Sequence, residues 1–169
     1  MSIKVGDRVP DASLGEYIET ATDTCAVGPT TFQVSDLVKG KKIVVFSVPG
    51  AFTPTCSEQH LPGFAAKAEE FKAAGVDEIW CFAVNDAFVM GAWGRSQNVD
   101  GKIRLLADGS GDWTRKLGLE FDLSAKGLGV RSKRFSALLD DGVVKFLNID
   151  ESGGLEKSDA DTLLQQLKS

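Results

Sequence analysis

The sequence predicts an α/β fold, and three observations carry that prediction. Strand-sized apolar runs alternate with segments of helical periodicity, the two strongest runs are apolar without alternation, and no repeat, low-complexity tract or linker divides the chain. A length of 169 residues, 43% hydrophobic and 25% charged, suits a soluble chain with one compact core, so residues 1–169 are expected to form a single domain.

Residues 41–48 form a continuous β-branched and aromatic run, expected of a central strand covered on both faces. Pro49-Gly50 ends it. Residues 56–71 read as helix, with Phe64, Ala68 and Phe71 on one face and a kink expected at Pro62-Gly63. A second buried strand at residues 78–85 makes a strand, helix, strand unit, for which a parallel right-handed crossover is the natural topology. Asp86 is placed to cap a helix carrying Phe88, Val89, Ala92 and Trp93, and residues 103–107 read as a third strand. A helix is expected at 112–119. Residues 134–139 and 143–149 flank Asp140-Asp141-Gly142, a hairpin signal, and Ser158 is expected to cap a last helix with Leu163, Leu164 and Leu167 on its apolar face.

Several functions are disfavoured at this level. The longest apolar stretch, Ile43 to Phe46 with Val48 nearby, is strand-sized, so no membrane span is expected, and the amino terminus lacks the apolar core of a secretory signal, which points to the cytoplasm. A net charge of -5 argues against a nucleic-acid partner. Cys25, Cys56 and Cys81 are odd in number and widely spaced, unlike a disulfide scaffold, and with His60 the only histidine a structural zinc site is not expected; no cofactor is expected either.

Cys56 follows a buried strand, a Pro-Gly turn and a second proline, at the expected first turn of a helix. Unpaired N–H groups and the positive end of the helix dipole stabilise a thiolate there. Its neighbours Thr53, Thr55, Ser57, Glu58 and Gln59 are polar, whereas a filler cysteine sits within an apolar run.

The stretch from Pro49 to Phe64, Pro-Gly-Ala-Phe-Thr-Pro-Thr-Cys-Ser-Glu-Gln-His-Leu-Pro-Gly-Phe, resembles the active-site segment of the peroxiredoxins, with Pro49, Thr53 and Cys56 in that family's PxxxTxxC pattern. The His-Leu-Pro-Gly-Phe tail, residues 75–86 and Phe88 to Gly94 narrow the resemblance to the type II subgroup. It implies a thioredoxin-like fold, a central mixed sheet flanked by helices, and a thiol-dependent peroxidase. Cys56 would be the peroxidatic cysteine, attacking hydrogen peroxide or an alkyl hydroperoxide and becoming a sulfenic acid. Thr53 would hydrogen-bond thiolate and peroxide, Pro49 would shield the pocket, and Arg131 matches the family's site arginine. The residues alone do not choose Arg131 over Lys133 and Arg134, which also read as solvated strand-edge charge.

A cation is needed because lowering a thiol pKa accomplishes little by itself. Moving a thiol from about 8.5 to about 6 raises the thiolate fraction at neutral pH roughly 30-fold. A Brønsted slope of about 0.45 costs roughly 13-fold in nucleophilicity over the same range, leaving a gain of about two. Donors aimed at the breaking O–O bond must supply the rest.

Cys81 matches the second cysteine of bacterial and plant-like type II members, the resolving position, but within Ile-Trp-Cys-Phe-Ala-Val it equally reads as a core filler. Recycling by glutathione with glutaredoxin, or by thioredoxin, is the other route. Cys25 reads as a bystander. His60 has two readings, a general base or a hydrogen-bonding and packing residue of its turn, and its setting favours the second. Phe88 and Trp93 read as helix-face core residues that, with Phe52, could line the homodimer contact the resemblance implies. A disulfide oxidoreductase would need Cys-x-x-Cys, whereas positions 53 and 59 are Thr and Gln. A redox sensor or holdase triggered by Cys56 oxidation is the reading from a different class.

Overall fold

The computed structural model describes residues 2–23 and 26–169, so the reading of Cys25 lies outside the described residues. The chain opens with an antiparallel pair, β1 (Ser13–Ile18) and β2 (Gly28–Gln33), then a short helix α1 (Val34–Leu37) and the central strand β3 (Lys42–Ser47). A π-helical turn, Cys56–His60, runs into α2 (Leu61–Ala66) and α3 (Ala68–Ala73). Next come β4 (Glu78–Ala83), α4 (Ala87–Gln97), β5 (Arg104–Ala107) and α5 (Asp112–Leu117). A small ribbon, β6 (Glu120–Asp122) and β7 (Val130–Ser132), precedes the hairpin of β8 (Arg134–Asp140) and β9 (Val143–Asp150), and α6 (Ala160–Lys168) closes the chain.

Seven strands form one mixed sheet in the order β2-β1-β5-β4-β3-β8-β9. Strands β3, β4 and β5 are mutually parallel, and β8 runs antiparallel to β3. Side chains of β3 and β4 alternate between two cores, which explains why both runs are apolar throughout. Val44, Phe46, Ile79 and Cys81 face Phe64, Phe71, Met90, Trp93 and Leu163 on α2, α3, α4 and α6. Ile43, Val45, Trp80 and Phe82 face Val34, Leu37, Trp113 and Leu117 on α1 and α5. Burying about 25 cal/mol per Å² of apolar surface on each face makes this sheet the stable frame on which the loops at its ends are held.

Three expectations are corrected. The helical stretch does not break at Pro62-Gly63; the interruption lies at Lys67. Pro62 sits in the first turn of α2, where its missing N–H falls at the hand-over from the wide π turn, in which the Leu61 N–H bonds Cys56 O. The last helix is capped by Asp159, whose carboxylate accepts from Thr162 N, because Ser158 is turned inward to Asp150. Phe88 is not a core residue: it is 62% exposed, while Trp93 is buried. Asp86 caps α4 as expected, accepting from Val89 N at 2.8 Å.

Candidate active site

Strand register brings the site together. Ser47 at the end of β3 lies opposite Phe135, and Phe46 opposite Ser136, so the chain leaving β3 meets the start of β8 at one end of the sheet. Residues 49–55 turn there, with the Ala51 N–H held by Asn85 Oδ1 beyond β4 and Phe52 at a φ of 66°. The helix then begins, and Cys56 lies in its first turn, where N–H groups lack intrahelical partners. Cys56 has no exposed surface.

The cation on this sulfur is Arg134. Its Nη2 donates to Cys56 Sγ at 3.2 Å, Nη1 donates to His60 Nδ1 at 2.9 Å and Nε donates to Gly153 O at 3.1 Å. Three edges of the guanidinium fork are thus committed, and the residue is 3% exposed rather than a solvated strand-edge charge. Alternation along β8 places Arg134 on the same side as Leu138, the Cys56 side of the sheet. Arg131, the arginine that the resemblance implied, makes its hydrogen bonds to backbone carbonyls and not to the sulfur. It donates through Nη1 to Pro49 O at 3.1 Å and through Nε to Leu128 O at 2.8 Å. Its guanidinium lies so close to Gly50 that a Cβ there would meet Nη1 at 2.7 Å. Arg131 braces the turn that precedes Cys56, and Arg134 touches the sulfur.

Thr53, half-buried, donates its hydroxyl proton to Gly50 O at 2.7 Å, which leaves the hydroxyl oxygen able to act only as an acceptor for another group. Ser57 N donates to Thr53 O, and Trp93 Nε1 donates to Ser57 Oγ at 2.9 Å, tying the helix start to α4. Pro49 is buried beside these groups.

His60 is not poised as a general base. Its Nε2 faces the carbonyl of Ser158 at 2.9 Å, which can only accept, so Nε2 carries the proton and Nδ1 is left to accept from Arg134. Burial, reinforced by the Arg134 charge, pushes its pKa down from 6.5 to about 3, against the Ser158 carbonyl and the charges of Asp150 and Asp159. The ring is neutral and both nitrogens are committed.

Cys81 lies in the middle of β4, opposite Phe46 and Leu105, in the same apolar core as Cys56 and with no exposed surface. Both cysteines are free thiols. Burial pushes the Cys81 thiol well up, the nearby Cys56 adds to this, and Arg134 opposes it. Among the described residues no cluster of His, Cys, Asp and Glu could hold a metal, and no helix is long and apolar enough to cross a membrane.

Known proteins align with this arrangement along nearly the whole chain. The redoxin family profile matches residues 4–164. Peroxiredoxin-2B of Arabidopsis thaliana is 50% identical over 165 residues, covering 98% of each chain. Reduced Prx3 of Vibrio vulnificus, solved in complex with H2O2, superposes with a TM-score of 0.89 at 45% identity, covering 98% of this chain and 99% of that one. A Burkholderia cenocepacia protein described as a thioredoxin reductase superposes with a TM-score of 0.98 at 53% identity, covering 100% of both chains. That description fits this chain poorly, since Thr53 and Gln59 stand where a Cys-x-x-Cys would need its second sulfur. The chain therefore belongs to the redoxin family and, within it, to the type II peroxiredoxins, which are thiol-dependent peroxidases.

Proposed function

We propose that Cys56 is the peroxidatic sulfur and that Arg134, rather than Arg131, is the cation acting on the peroxide. The observation that carries this reading is the 3.2 Å contact between Arg134 Nη2 and Cys56 Sγ, with both side chains buried. The Cys56 thiolate attacks the terminal oxygen of a hydroperoxide. An S–O bond forms, the O–O bond breaks, and the leaving oxygen takes a proton to depart as water or an alcohol, with Cys56 left as sulfenic acid. Charge moves from sulfur to the leaving oxygen, and a guanidinium fixed in three directions follows that shift without reorganising. Thr53, its own proton given to Gly50 O, accepts from the peroxide O–H and aligns it. Pro49, buried over the turn and held by Arg131, keeps water from the leaving oxygen.

Recycling runs through an external thiol, glutathione with glutaredoxin or thioredoxin. One thiol condenses with the sulfenic acid, releasing water and forming a mixed disulfide, and a second thiol frees Cys56. The burial and raised pKa of Cys81 favour this route over an internal Cys56–Cys81 disulfide, which would need the helix start to open. Two buried free thiols suit a reducing compartment such as the cytoplasm. We also place the chain in a homodimer that covers Phe52 and Phe88, which are 55% and 62% exposed and flank the Ala51–Asn85 hydrogen bond.

Mass spectrometry after one equivalent of hydrogen peroxide and then glutathione tests the recycling route. The expected product is glutathionylated Cys56 in both the native protein and Cys81→Ser. An intramolecular disulfide in the native protein, absent from Cys81→Ser, would overturn it.

A further inference from the structure

We propose that His60 is a positioning residue: the Ser158 carbonyl locks it as the Nε2–H tautomer, and its bare Nδ1 then sets the Arg134 guanidinium on Cys56. The inference rests on Cys56 being the reacting sulfur and Arg134 its cation, and it assigns the histidine a part in that chemistry with no proton transfer of its own.

Geometry carries the argument. A neutral imidazole can accept through only one nitrogen, and a carbonyl partner decides which. Here Ser158 O takes the Nε2 proton at 2.9 Å, so Nδ1 must accept from Arg134 Nη1 at 2.9 Å. The ring cannot turn over without placing an N–H against the guanidinium. It is also wedged between Phe46 and Phe64, with ring centroids at 4.9 Å and 5.6 Å, and is 1% exposed.

The lock is itself anchored. Asp150, at the end of β9, accepts from Lys157 N at 2.9 Å and from Ser158 N at 3.0 Å, and also from Ser158 Oγ. This carboxylate shapes the turn between β9 and α6 so that two of its carbonyls face the site, Ser158 O toward His60 and Gly153 O toward Arg134 Nε. A chain of contacts thus runs from Asp150 through Ser158 and His60 to Arg134 and the sulfur. The charged groups facing His60 are Arg134 from β8, Asp150 from β9 and Asp159 at the start of α6, and burial with the guanidinium outweighs the two carboxylates in keeping the ring neutral.

The chain has one histidine, so 15N-histidine labelling gives a single imidazole spectrum that reads the tautomer directly. The expected spectrum is the neutral Nε2–H form from pH 8 down to roughly pH 4. An Nδ1–H tautomer, or an imidazolium at pH 6, would overturn the proposal even if no variant folded. Kinetics supply the second arm, reading stopped-flow oxidation by hydrogen peroxide alongside alkylation by iodoacetamide, which has no O–O bond to polarise. His60→Leu is expected to slow oxidation about 10- to 100-fold with alkylation changed less than about threefold. His60→Asn keeps an acceptor facing Arg134 and is expected to recover at least about tenfold of that loss. Oxidation of His60→Leu within about threefold of native, or His60→Asn as slow as His60→Leu, would sink the proposal. A native protein whose Cys56 does not react with peroxide would instead sink the reading beneath it, so the two failures are distinguishable.

Discussion

Arg134→Lys keeps a positive charge near Cys56 and removes the fork, and a single ammonium cannot reach Sγ, His60 Nδ1 and Gly153 O in the geometry the guanidinium uses. Losing one well-placed donor at a developing charge costs about 10²–10³ in rate. Stopped-flow oxidation of Arg134→Lys should therefore fall by about that factor. Arg131→Ala, which frees only the Pro49 and Leu128 carbonyls, should lose less than about tenfold. The reverse ranking would mean that the cation on the peroxide is Arg131. The two arginines lie three residues apart in a basic stretch, and nothing in their one-dimensional neighbourhood separates them. What separates them is that Arg134 opens β8 on the Cys56 side, whereas Arg131 sits in the separate β6–β7 ribbon opposite Phe121. That Pro49, Thr53 and Cys56 sit together was legible because they lie in one continuous segment. The contribution of Asp150 was not, since its partners Lys157 and Ser158 meet it only through the turn after β9.

At the scale of elements, β3, β4, β5 and the β8–β9 hairpin were legible because apolar composition and turn residues mark them locally. Strands β1 and β2 were not: Gly-Pro-Thr-Thr-Phe-Gln carries a glycine, a proline and polar residues, and it becomes a strand only by pairing with β1. The join between the π turn and α2 carries an acid-sensitivity prediction through His60. Unfolding exposes an imidazole that binds a proton below about pH 6.5, whereas the folded ring binds one only near pH 3. Between these values the unfolded state holds more protons, so stability is full above about pH 6.5 and declines as pH falls toward 3. The decline amounts to as much as about 1.4 kcal/mol per pH unit. Urea denaturation between pH 6.5 and 5, above the range where carboxylates titrate, should show this slope in the native protein and a flatter one in His60→Asn. Equal slopes would mean that His60 titrates normally in the fold. Within β4, Cys81→Ala removes one buried sulfur and should cost about 1–2 kcal/mol while leaving Cys56 oxidation within twofold of native. A large loss of oxidation rate would give Cys81 a direct part in the peroxide step.

The whole molecule sets the site at one end of a sheet covered on both sides, where Cys56 and the turn before it follow β3, Arg134 opens β8 and Arg131 reaches the turn from β7. Exposed aromatic surface remains at Phe52 and Phe88, close in sequence to the Ala51–Asn85 hydrogen bond, with the Tyr17 ring centroid 6.1 Å from that of Phe88. If the proposed homodimer forms through this surface, the native chain should sediment as a dimer and Phe88→Glu as a monomer, and a dimer unchanged by Phe88→Glu would place the contact elsewhere. If Cys56 is the peroxidatic residue, peroxide reduction depends on its sulfur. The decisive measurement follows peroxide consumption in the presence of thiol reductant for the native protein and Cys56→Ser, a one-atom exchange at a fully buried position. Cys56→Ser should consume peroxide no faster than the reductant alone; turnover near the native rate would put the reacting group elsewhere in the chain.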